Sequence, residues 1–339
     1  MANTTVPAEL INTATPLGRR NILINGDYGI YQRAQQATGV GASSAYPTAD
    51  RWVLNPSTEG RLTMTAGTAD APPESNVTTS LKLDCTTADT SVGADQFCIL
   101  DQRIEGQNIQ HVKKGTSGAR QLTASFWVKG NASATYVAEL YDNDNARQVS
   151  KSFSVTSSWS KVELTFPADT TGAFDNDANL SLFFQIWLLG GSNFTSGTLS
   201  ETWTSVTQAN RAVGISNFFS STSNEFYITA VQLEVGDVAT EFEILSRGER
   251  DALCHRYYLV QRYSVEDPAA TAGSQYAHSM LQWNMRAAPS GTLTIGSRSN
   301  VNSTAFYNER TTGGRIEIQS AAAGRFYDLD GIIALDAEL

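Results

Sequence analysis

The sequence predicts an all-β protein with an N-terminal antiparallel jelly-roll β-sandwich, one short linking helix and a smaller C-terminal β-sandwich. Three observations lead to this fold class. Apolar residues recur at every second position in many short segments, turn-forming Gly, Asn, Asp and Ser separate those segments, and only one stretch carries the start signal of a helix. The 339 residues exceed what one hydrophobic core usually supports, so we expect two main domains.

The domain boundaries are placed where these patterns change. We expect an extended N-terminal arm over residues 1–18, the jelly roll over 19–245, the linking helix over 246–256 and the C-terminal β domain over 257–339. The arm contains scattered Thr, Pro and Ala without periodicity, and a non-globular segment of this kind is ordered only when it lies against a partner.

The first domain is predicted from its alternating segments. Residues 20–33 indicate a strand, a tight turn at Asn25-Gly26 and a second short strand. Residues 121–128 and 161–166 alternate strictly, with Phe126 and Phe166 on the inward faces.

Residues 180–188 are apolar on both faces, because Phe183 and Trp187 stand opposite the inward row. Such a strand is either central in a sandwich or buried at a subunit contact, which makes Phe183 and Trp187 candidate subunit-contact residues. The last strand, residues 225–236, is expected to place Tyr227, Thr229 and Val231 on one face and to close against the first strand.

The second domain begins after a capping box. Ser246 and Glu249 have the S-x-x-E spacing that starts a helix, and we expect this helix to run from about residue 247 to 256 with Ala252 and Leu253 facing a core. Residues 257–263 are strand-like, residues 266–273 are expected to form a loop, and Thr311-Thr-Gly-Gly314 is a hairpin turn.

Charge and composition argue against several classes of partner. The net charge is −10 and no basic cluster offsets it, so nucleic acid is not an expected partner. No apolar run approaches the ~20 residues of a membrane span, and the first residues lack the basic and apolar regions of a signal peptide, so we expect a protein made in a cytoplasm without a membrane partner. Cys85, Cys98 and Cys254 lack metal or disulfide spacing and are expected to be buried apolar side chains.

Several segments resemble a family of bacteriophage virion structural proteins. They are Asn21-Ile-Leu-Ile-Asn-Gly-Asp-Tyr-Gly-Ile-Tyr-Gln-Arg33, Ala49-Asp-Arg-Trp52, Val231-Gln-Leu-Glu-Val-Gly-Asp-Val-Ala-Thr-Glu-Phe242, Glu249-Arg-Asp-Ala-Leu-Cys-His-Arg-Tyr-Tyr258 and Met285-Arg-Ala-Ala-Pro289. The first and last strands of the jelly roll are also similar to those of carbohydrate-binding modules. The resemblance covers roughly residues 20–290.

The resemblance implies two alternative roles. One is a homotrimeric tail fibre or appendage that contacts host surface glycans. The other is a trimeric capsid decoration or head-fibre protein that stabilises the shell. In both roles the protein is made in the host cytoplasm and resides in the virion. It forms a homotrimer and contacts other virion proteins through the N-terminal arm. The short arm and the absence of shaft repeats favour a small appendage or decoration over a long fibre.

A glycan-binding role needs exposed aromatic faces beside short polar side chains. By sequence context the candidates are Trp203 and Trp159 in loop-like segments, then Tyr136 and Tyr141, whereas Trp127 is expected in the core.

No catalytic motif is recognisable, so we expect no enzymatic activity and no cofactor. The Asx-rich segments 142–145 and 175–179 lack the Gly and Glu positions of a calcium loop and are expected to be turns, so no metal site is predicted.

Overall fold

The computed structural model describes residues 19–279 and 284–339, and these divide into two compact units, with the boundary in the chain between Leu245 and Ser246. The predicted arm over 1–18 lies outside the described residues. The strands of the first unit are β1 (Gln36–Val40), β2 (Val53–Ser57), β3 (Arg61–Thr68), β4 (Ser80–Thr87), β5 (Phe97–Glu105), β6 (Leu122–Gly130), β7 (Ala134–Asp142), β8 (Arg147–Val155), β9 (Ser160–Phe166), β10 (Leu180–Gly190), β11 (Thr204–Ser205) and β12 (Glu225–Val235).

The first unit is an antiparallel β-sandwich, as the sequence predicts. Sheet A has the strand order β1-β3-β4-β12-β6-β9, and sheet B has the order β11-β8-β7-β10-β5-β2. The inward rows of the two sheets form one core, in which Trp52, Phe126 and Phe184 are fully buried and meet edge to face. The alternation predicted for residues 121–128 and 161–166 is confirmed, because their inward residues belong to this core.

The opening segment differs from the prediction of a strand pair. Residues 19–33 form bends and turns, and the first strand begins only at Gln36. The segment nevertheless packs against β12, where the Ile22 amide donates to the Leu233 carbonyl at 2.8 Å and the Val231 amide donates to the Gly26 carbonyl at 2.9 Å. Gly26 is required by this close approach, since a Cβ there would lie 2.1 Å from the Val231 carbonyl oxygen.

Two of the motifs that carry the phage resemblance form one local structure. The Asn25 side chain donates to the carbonyls of Ile30 and Asp50 at 2.8 and 3.0 Å, and the Trp52 indole donates to the Asn25 carbonyl at 3.0 Å. The Asp50 carboxylate in turn accepts from the amide and the side chain of Gln32. These contacts replace a strand ladder, which explains why a segment so rich in strand-forming residues is not a strand.

A β-bulge in β12 changes which residues of this strand face the core. The register shifts between Thr229 and Gln232, and Ala230 takes a φ of +51°, which is rare for a residue other than glycine. Phe226 and Ile228 face the core before the bulge, and Val231 does so after it. The prediction that Val231 shares a face with Tyr227 is therefore wrong, because the extra residue reverses the alternation.

The outer face of sheet B is partly covered by the chain itself. The segment after β10, which includes the short helix α1 (Ser192–Thr195), returns over this face, and Phe194, Leu199 and Ile215 pack on a buried cluster that contains Trp187. Trp187 is fully buried, and its indole donates to Glu139 at 2.7 Å.

The second unit consists of α2 (Arg247–His255) followed by β13 (Tyr258–Ala269), β14 (Gln275–Ser279), β15 (Ser290–Thr294), β16 (Ser297–Ser299), β17 (Val301–Arg310), β18 (Gly313–Ser320) and β19 (Gly324–Asp336). The predicted capping box is confirmed, since Ser246 and Glu249 satisfy each other's backbone amides. Ala252, however, is exposed, and Cys254 is the buried residue of this helix.

The strands of the second unit form two small antiparallel sheets. One contains β13, β19, β15 and β16, and the other has the order β14-β18-β17. The turn between β17 and β18 lies at Thr311-Thr312, as predicted, because Arg310 pairs with Gly313. Residues 266–269 belong to β13 and not to a loop, and Pro268 is accommodated because β13 is an edge strand.

The three cysteines are buried, which confirms the prediction for them. Within residues 19–279 and 284–339, no helix is long and apolar enough to cross a membrane.

Candidate functional site

A row of charged and aromatic side chains crosses the outer face of sheet A. The strand register places Tyr227 of β12 directly opposite Lys82 of β4 on one side and Lys129 of β6 on the other. Trp159 follows next to Lys129, from the turn that precedes β9. We call Lys82, Tyr227, Lys129 and Trp159 the Lys129 row.

The aromatic rings and the two lysines of this row contact one another. The Lys129 ammonium lies 4.4 Å from the centre of the Tyr227 ring and 5.2 Å from that of Trp159, and the two rings meet edge to face at 6.1 Å. Asp70 accepts from the Lys129 ammonium at 2.5 Å and from the Trp159 indole at 3.0 Å. Burial alone would raise the pKa of Asp70, but these hydrogen bonds hold it below its usual value.

Two carboxylates flank the other end of the row. The Lys82 ammonium lies 2.8 Å from Asp84 and 3.0 Å from Glu225, and the Tyr227 hydroxyl donates to Glu225 at 3.3 Å. Burial opposes the charge of Lys82, yet its partners hold the pKa of Lys82 above the ordinary value. Burial and the neighbouring Glu225 carboxyl raise the pKa of Asp84. The lysines are therefore already neutralised by carboxylates of this chain.

A polar cavity of about 430 Å³ adjoins the row at Glu225. We call it the Tyr136 cavity, because Tyr136 lines it together with the turn at residues 130–134. Its other walls carry short polar side chains, Ser216, Asn217, Ser220 and Asn224. The volume lies within the range of ~300–1,000 Å³ that is usual for small-molecule sites.

The chemistry of this surface suits hydroxyl-rich, uncharged ligands. Amide, hydroxyl and carboxylate groups on its rim accept and donate hydrogen bonds, and the half-buried ring of Trp159 offers an apolar surface. Two lysines against three carboxylates, namely Asp70, Asp84 and Glu225, leave no surplus positive charge for an anionic ligand.

Two of the four candidate glycan-binding residues, Trp159 and Tyr136, lie at this end of the sandwich. Trp159 belongs to the Lys129 row, and Tyr136 lines the cavity. The ring of Tyr136 is only 4% exposed and packs edge to face on Phe226, so it forms part of the cavity wall and offers no open stacking face. Tyr136 as an open platform for a sugar ring is therefore a prediction that the structure corrects.

The other two candidates lie elsewhere in the first unit. Trp203 donates to the Pro167 carbonyl at 2.8 Å, and the Lys114 ammonium lies 5.1 Å from its ring. Tyr141 is on the outer face of sheet B, where it meets Phe183 edge to face and carries the Arg211 guanidinium at 4.9 Å.

The candidate subunit-contact residues have different surroundings. Trp187 is covered by its own chain, so its burial needs no second subunit. Its ring is overlain by Arg211, which also pairs with Glu139 at 2.9 Å. Phe183 is partly exposed on the same face and lies 5.8 Å from the Arg103 guanidinium.

Sequence reasoning missed Lys82, Lys129, Tyr227 and Trp127 as site residues. Trp127 was expected in the core, but it is half-buried on the outer face of sheet A. The sequence indicates this outward position, because Trp127 lies between the inward residues Phe126 and Val128 of a strictly alternating strand.

The Asx-rich segment 142–145 is held by protein groups. Asp142 is fully buried and receives the Lys114 ammonium at 2.5 Å, while the same ammonium donates to the carbonyls of Thr171 and Gly172 at 2.8 Å. Among the described residues, no group of three or more His, Cys, Asp or Glu side chains is arranged to hold a metal ion.

Comparisons with known proteins give only distant similarity. No protein-family model matches the chain, and no curated protein matches it. Among solved structures, the enzymatically active domain of bacteriophage CBA120 tailspike protein 4 is similar at 12% identity, with a TM-score of 0.31, over 64% of this chain and 21% of that chain.

Two structures of carbohydrate-binding proteins are similar to the same degree. TmCBM61 in complex with β-1,4-galactotriose matches at 11% identity and a TM-score of 0.31, over 64% of this chain and 100% of that chain. The CBM22-1 xylan-binding domain from Paenibacillus barcinonensis Xyn10C matches at 12% identity and a TM-score of 0.28, over 66% of this chain and 100% of that chain. At these values the similarities assign no family, ligand or activity to this chain.

Proposed function

We propose that this chain is a non-enzymatic bacteriophage virion protein, a homotrimeric tail fibre or appendage whose first unit binds glycans of the host surface. The virion assignment is supported by the sequence motifs at residues 21–33, 49–52, 231–242 and 249–258. The observation that carries glycan binding is the Lys129 row beside the Tyr136 cavity.

The row is held in place before any ligand arrives. Asp70 fixes both Lys129 and Trp159, and Glu225 fixes Lys82 together with the Tyr227 hydroxyl. A site whose side chains are already ordered loses little conformational entropy on binding, which favours recognition of a weakly interacting ligand such as a sugar.

A neutral glycan fits this surface better than a charged one. Every ammonium of the row is paired with a carboxylate of the chain, and the whole protein carries a net charge of −10. Both features disfavour polyanionic chains, whereas sugar hydroxyls can bond to the carboxylate, amide and hydroxyl groups on the rim.

The test is binding of the full chain to an array of purified bacterial O-antigens, capsular polysaccharides and neutral polysaccharides. We expect the wild type to bind at least one neutral polysaccharide and Trp159→Ala to weaken that binding at least tenfold. Trp203→Ala is the matched control, because it removes the same side chain from another part of the same unit. Thermal unfolding of both variants checks that the fold is intact.

Light scattering on the same wild-type sample is expected to give the mass of a trimer. Absence of binding to every glycan on the array would overturn the proposed function. Loss of binding in Trp203→Ala with retention in Trp159→Ala would move the site away from the Lys129 row. Immunogold labelling of intact particles separates the two virion roles, since label on the capsid shell and not on the tail would support the decoration protein instead.

A further inference from the structure

A second recess lies on the same outer face of sheet A, on the side of the Lys129 row away from the Tyr136 cavity. It has a volume of about 130 Å³ and is lined by Ser125 and Trp127 of β6, Lys161 of β9 and Ala230 of β12, with Thr240 and Glu241 at its rim. We call it the Trp127 cavity.

The bulge in β12 belongs to the wall of this recess. Between Thr229 and Gln232 the strand contains an extra residue, Ala230, whose backbone is held at a φ of +51°. A non-glycine residue in this conformation stores local strain, and bulges of this kind occur where a strand must bend or re-aim its side chains. Thr229 lies opposite Trp127 in the strand register, and Ala230 contributes only a methyl group to the lining of the recess.

Trp127 has a hydrogen-bond donor and a ring face that the described residues leave open to a ligand. Its side chain is half-buried, and its indole N–H donates to no partner among the described residues. Trp159 and Tyr227 each have a lysine ammonium over the ring, whereas no cation or aromatic ring of the described residues stacks on Trp127. A half-exposed indole with a free donor beside a recess is suited to a ligand that combines an apolar face with hydrogen-bond acceptors.

The strand β6 connects all three features. Its residue Gly130 reaches the Tyr136 cavity, Lys129 lies at the centre of the row, and Ser125 and Trp127 line the Trp127 cavity. Trp127 and Lys129 face the same side because they are two residues apart in a strand. From Ser125 to Gly130 the strand covers about 17 Å, at roughly 3.3 Å per residue.

We infer that the outer face of sheet A binds a linear, neutral glycan chain that lies along β6, with one part in the Tyr136 cavity, the middle on the Lys129 row and the far part on Trp127. This inference rests on the proposed glycan binding and adds the shape of the ligand: a chain longer than a disaccharide, bound at internal residues. The Trp127 cavity, like the Lys129 row, has no surplus positive charge to attract an anionic glycan. Lys161 is paired with Glu163 at 2.7 Å, and Glu241 adds a carboxylate at the rim.

The test measures affinity against chain length. The probes are size-fractionated oligosaccharides, from the disaccharide to about the octasaccharide, cut by partial acid hydrolysis from the neutral polysaccharide that binds most strongly on the array. Isothermal titration with the full chain is expected to show affinity rising at least tenfold with length and then levelling off. Trp127→Ala is expected to remove this gain while leaving the disaccharide affinity within about twofold, and Trp159→Ala is expected to weaken every length.

The controls separate a failure of this inference from a failure of glycan binding. Trp127→Phe keeps an aromatic ring and is expected to retain most of the gain, which excludes a general loss of structure in Trp127→Ala. Equal affinity for all lengths, or an equal loss at all lengths in Trp127→Ala, would overturn the extended site while the proposed glycan binding stands. Array binding confined to anionic polysaccharides would overturn the neutral-ligand assignment, and absence of all array binding would overturn both proposals.

Discussion

Asp101 makes the stability of the first unit depend on pH. It lies on β5 at the outer face of sheet B, its side chain is fully buried, and neither carboxylate oxygen accepts a hydrogen bond among the described residues. The Arg103 guanidinium is 3.6 Å away, and Arg51 is a further positive charge. Burial outweighs both arginines and raises the pKa of Asp101 to about 7.

The sign and size of the effect follow from this pKa. In the unfolded chain an aspartate titrates near 3.9, so folding favours the protonated form by roughly 3 pKa units, or about 4 kcal/mol. A group with a raised folded pKa contributes stability that is fully present below the unfolded pKa and is lost as the pH rises through the folded pKa. The contribution of Asp101 should therefore fall between about pH 4 and pH 7.

Asp101→Asn isolates this contribution because the asparagine side chain stays neutral. We expect the stability of the variant relative to the wild type to rise by about 4 kcal/mol between pH 4 and pH 8. Any pH-independent effect of the new amide cancels in this difference. Urea unfolding followed by tryptophan fluorescence suits the measurement, since five of the six tryptophans precede residue 246.

The matched control is Asp237→Asn, which removes an exposed carboxylate from the same unit and is expected to change the free energy of unfolding by less than about 0.5 kcal/mol at either pH. If Asp101→Asn and the wild type differed by the same amount at pH 4 and pH 8, the carboxyl would not titrate as burial requires, and the reasoning would be refuted.

Two further substitutions test how the first unit is held together. Trp187→Ala should lower the free energy of unfolding by about 3–5 kcal/mol and leave the mass in light scattering unchanged, because the ring is buried within its own chain; dissociation without loss of unfolding free energy would restore the subunit-contact interpretation. Lys114→Met should cost about 3 kcal/mol in urea unfolding, because it leaves Asp142 and Asp169 without the buried ammonium that joins them. A cost below 1 kcal/mol would show that the remaining partners of these carboxylates suffice.

Local patterns predicted the parts of the fold whose determinants are close in the chain. The alternation in β6 and β9 identified core residues such as Phe126 and Phe166, because one face of each strand is buried and side chains alternate with a period of two. The capping box at Ser246 and Glu249 predicted the start of α2, since both partners lie within one helical turn.

The errors come from contacts between residues far apart in sequence. Residues 19–33 have strand-like composition, but their polar groups bond to Asp50, Gln102 and β12 instead of a neighbouring strand. The bulge at Ala230 follows from no local signal, since its residue type is common in regular structure. Pro268 suggested a loop, because only the sheet order shows that β13 is an edge strand.

The candidate site was only partly predictable for the same reason. Trp159 was found because it follows two serines in a turn-like segment, a local signal. Lys82, Lys129 and Tyr227 come from three strands that are separated by dozens of residues, and only the register of β4, β12 and β6 brings them together.

Several outward-facing aromatic rings of the first unit carry a cation that is itself paired with a carboxylate. On the outer face of sheet B, the Arg211 guanidinium lies 4.9 Å from the centres of both the Trp187 and Tyr141 rings and is itself bound by Glu139. On sheet A, Lys129 covers Trp159 and is bound by Asp70 in the same way. A paired cation over one face of a ring holds the ring in place and keeps the charged group in contact with water.

Trp127 lacks such a cover, although it lies two residues from Lys129 on the same face of β6. The chain has cations near it, since Lys161 lies opposite Trp127 in the strand register, but Lys161 pairs with Glu163 instead of stacking on the indole. The uncovered ring, its free N–H and the recess at the bulge occur at one place. A structural role for Trp127 would explain none of these three features, whereas a bound glycan chain would use all of them.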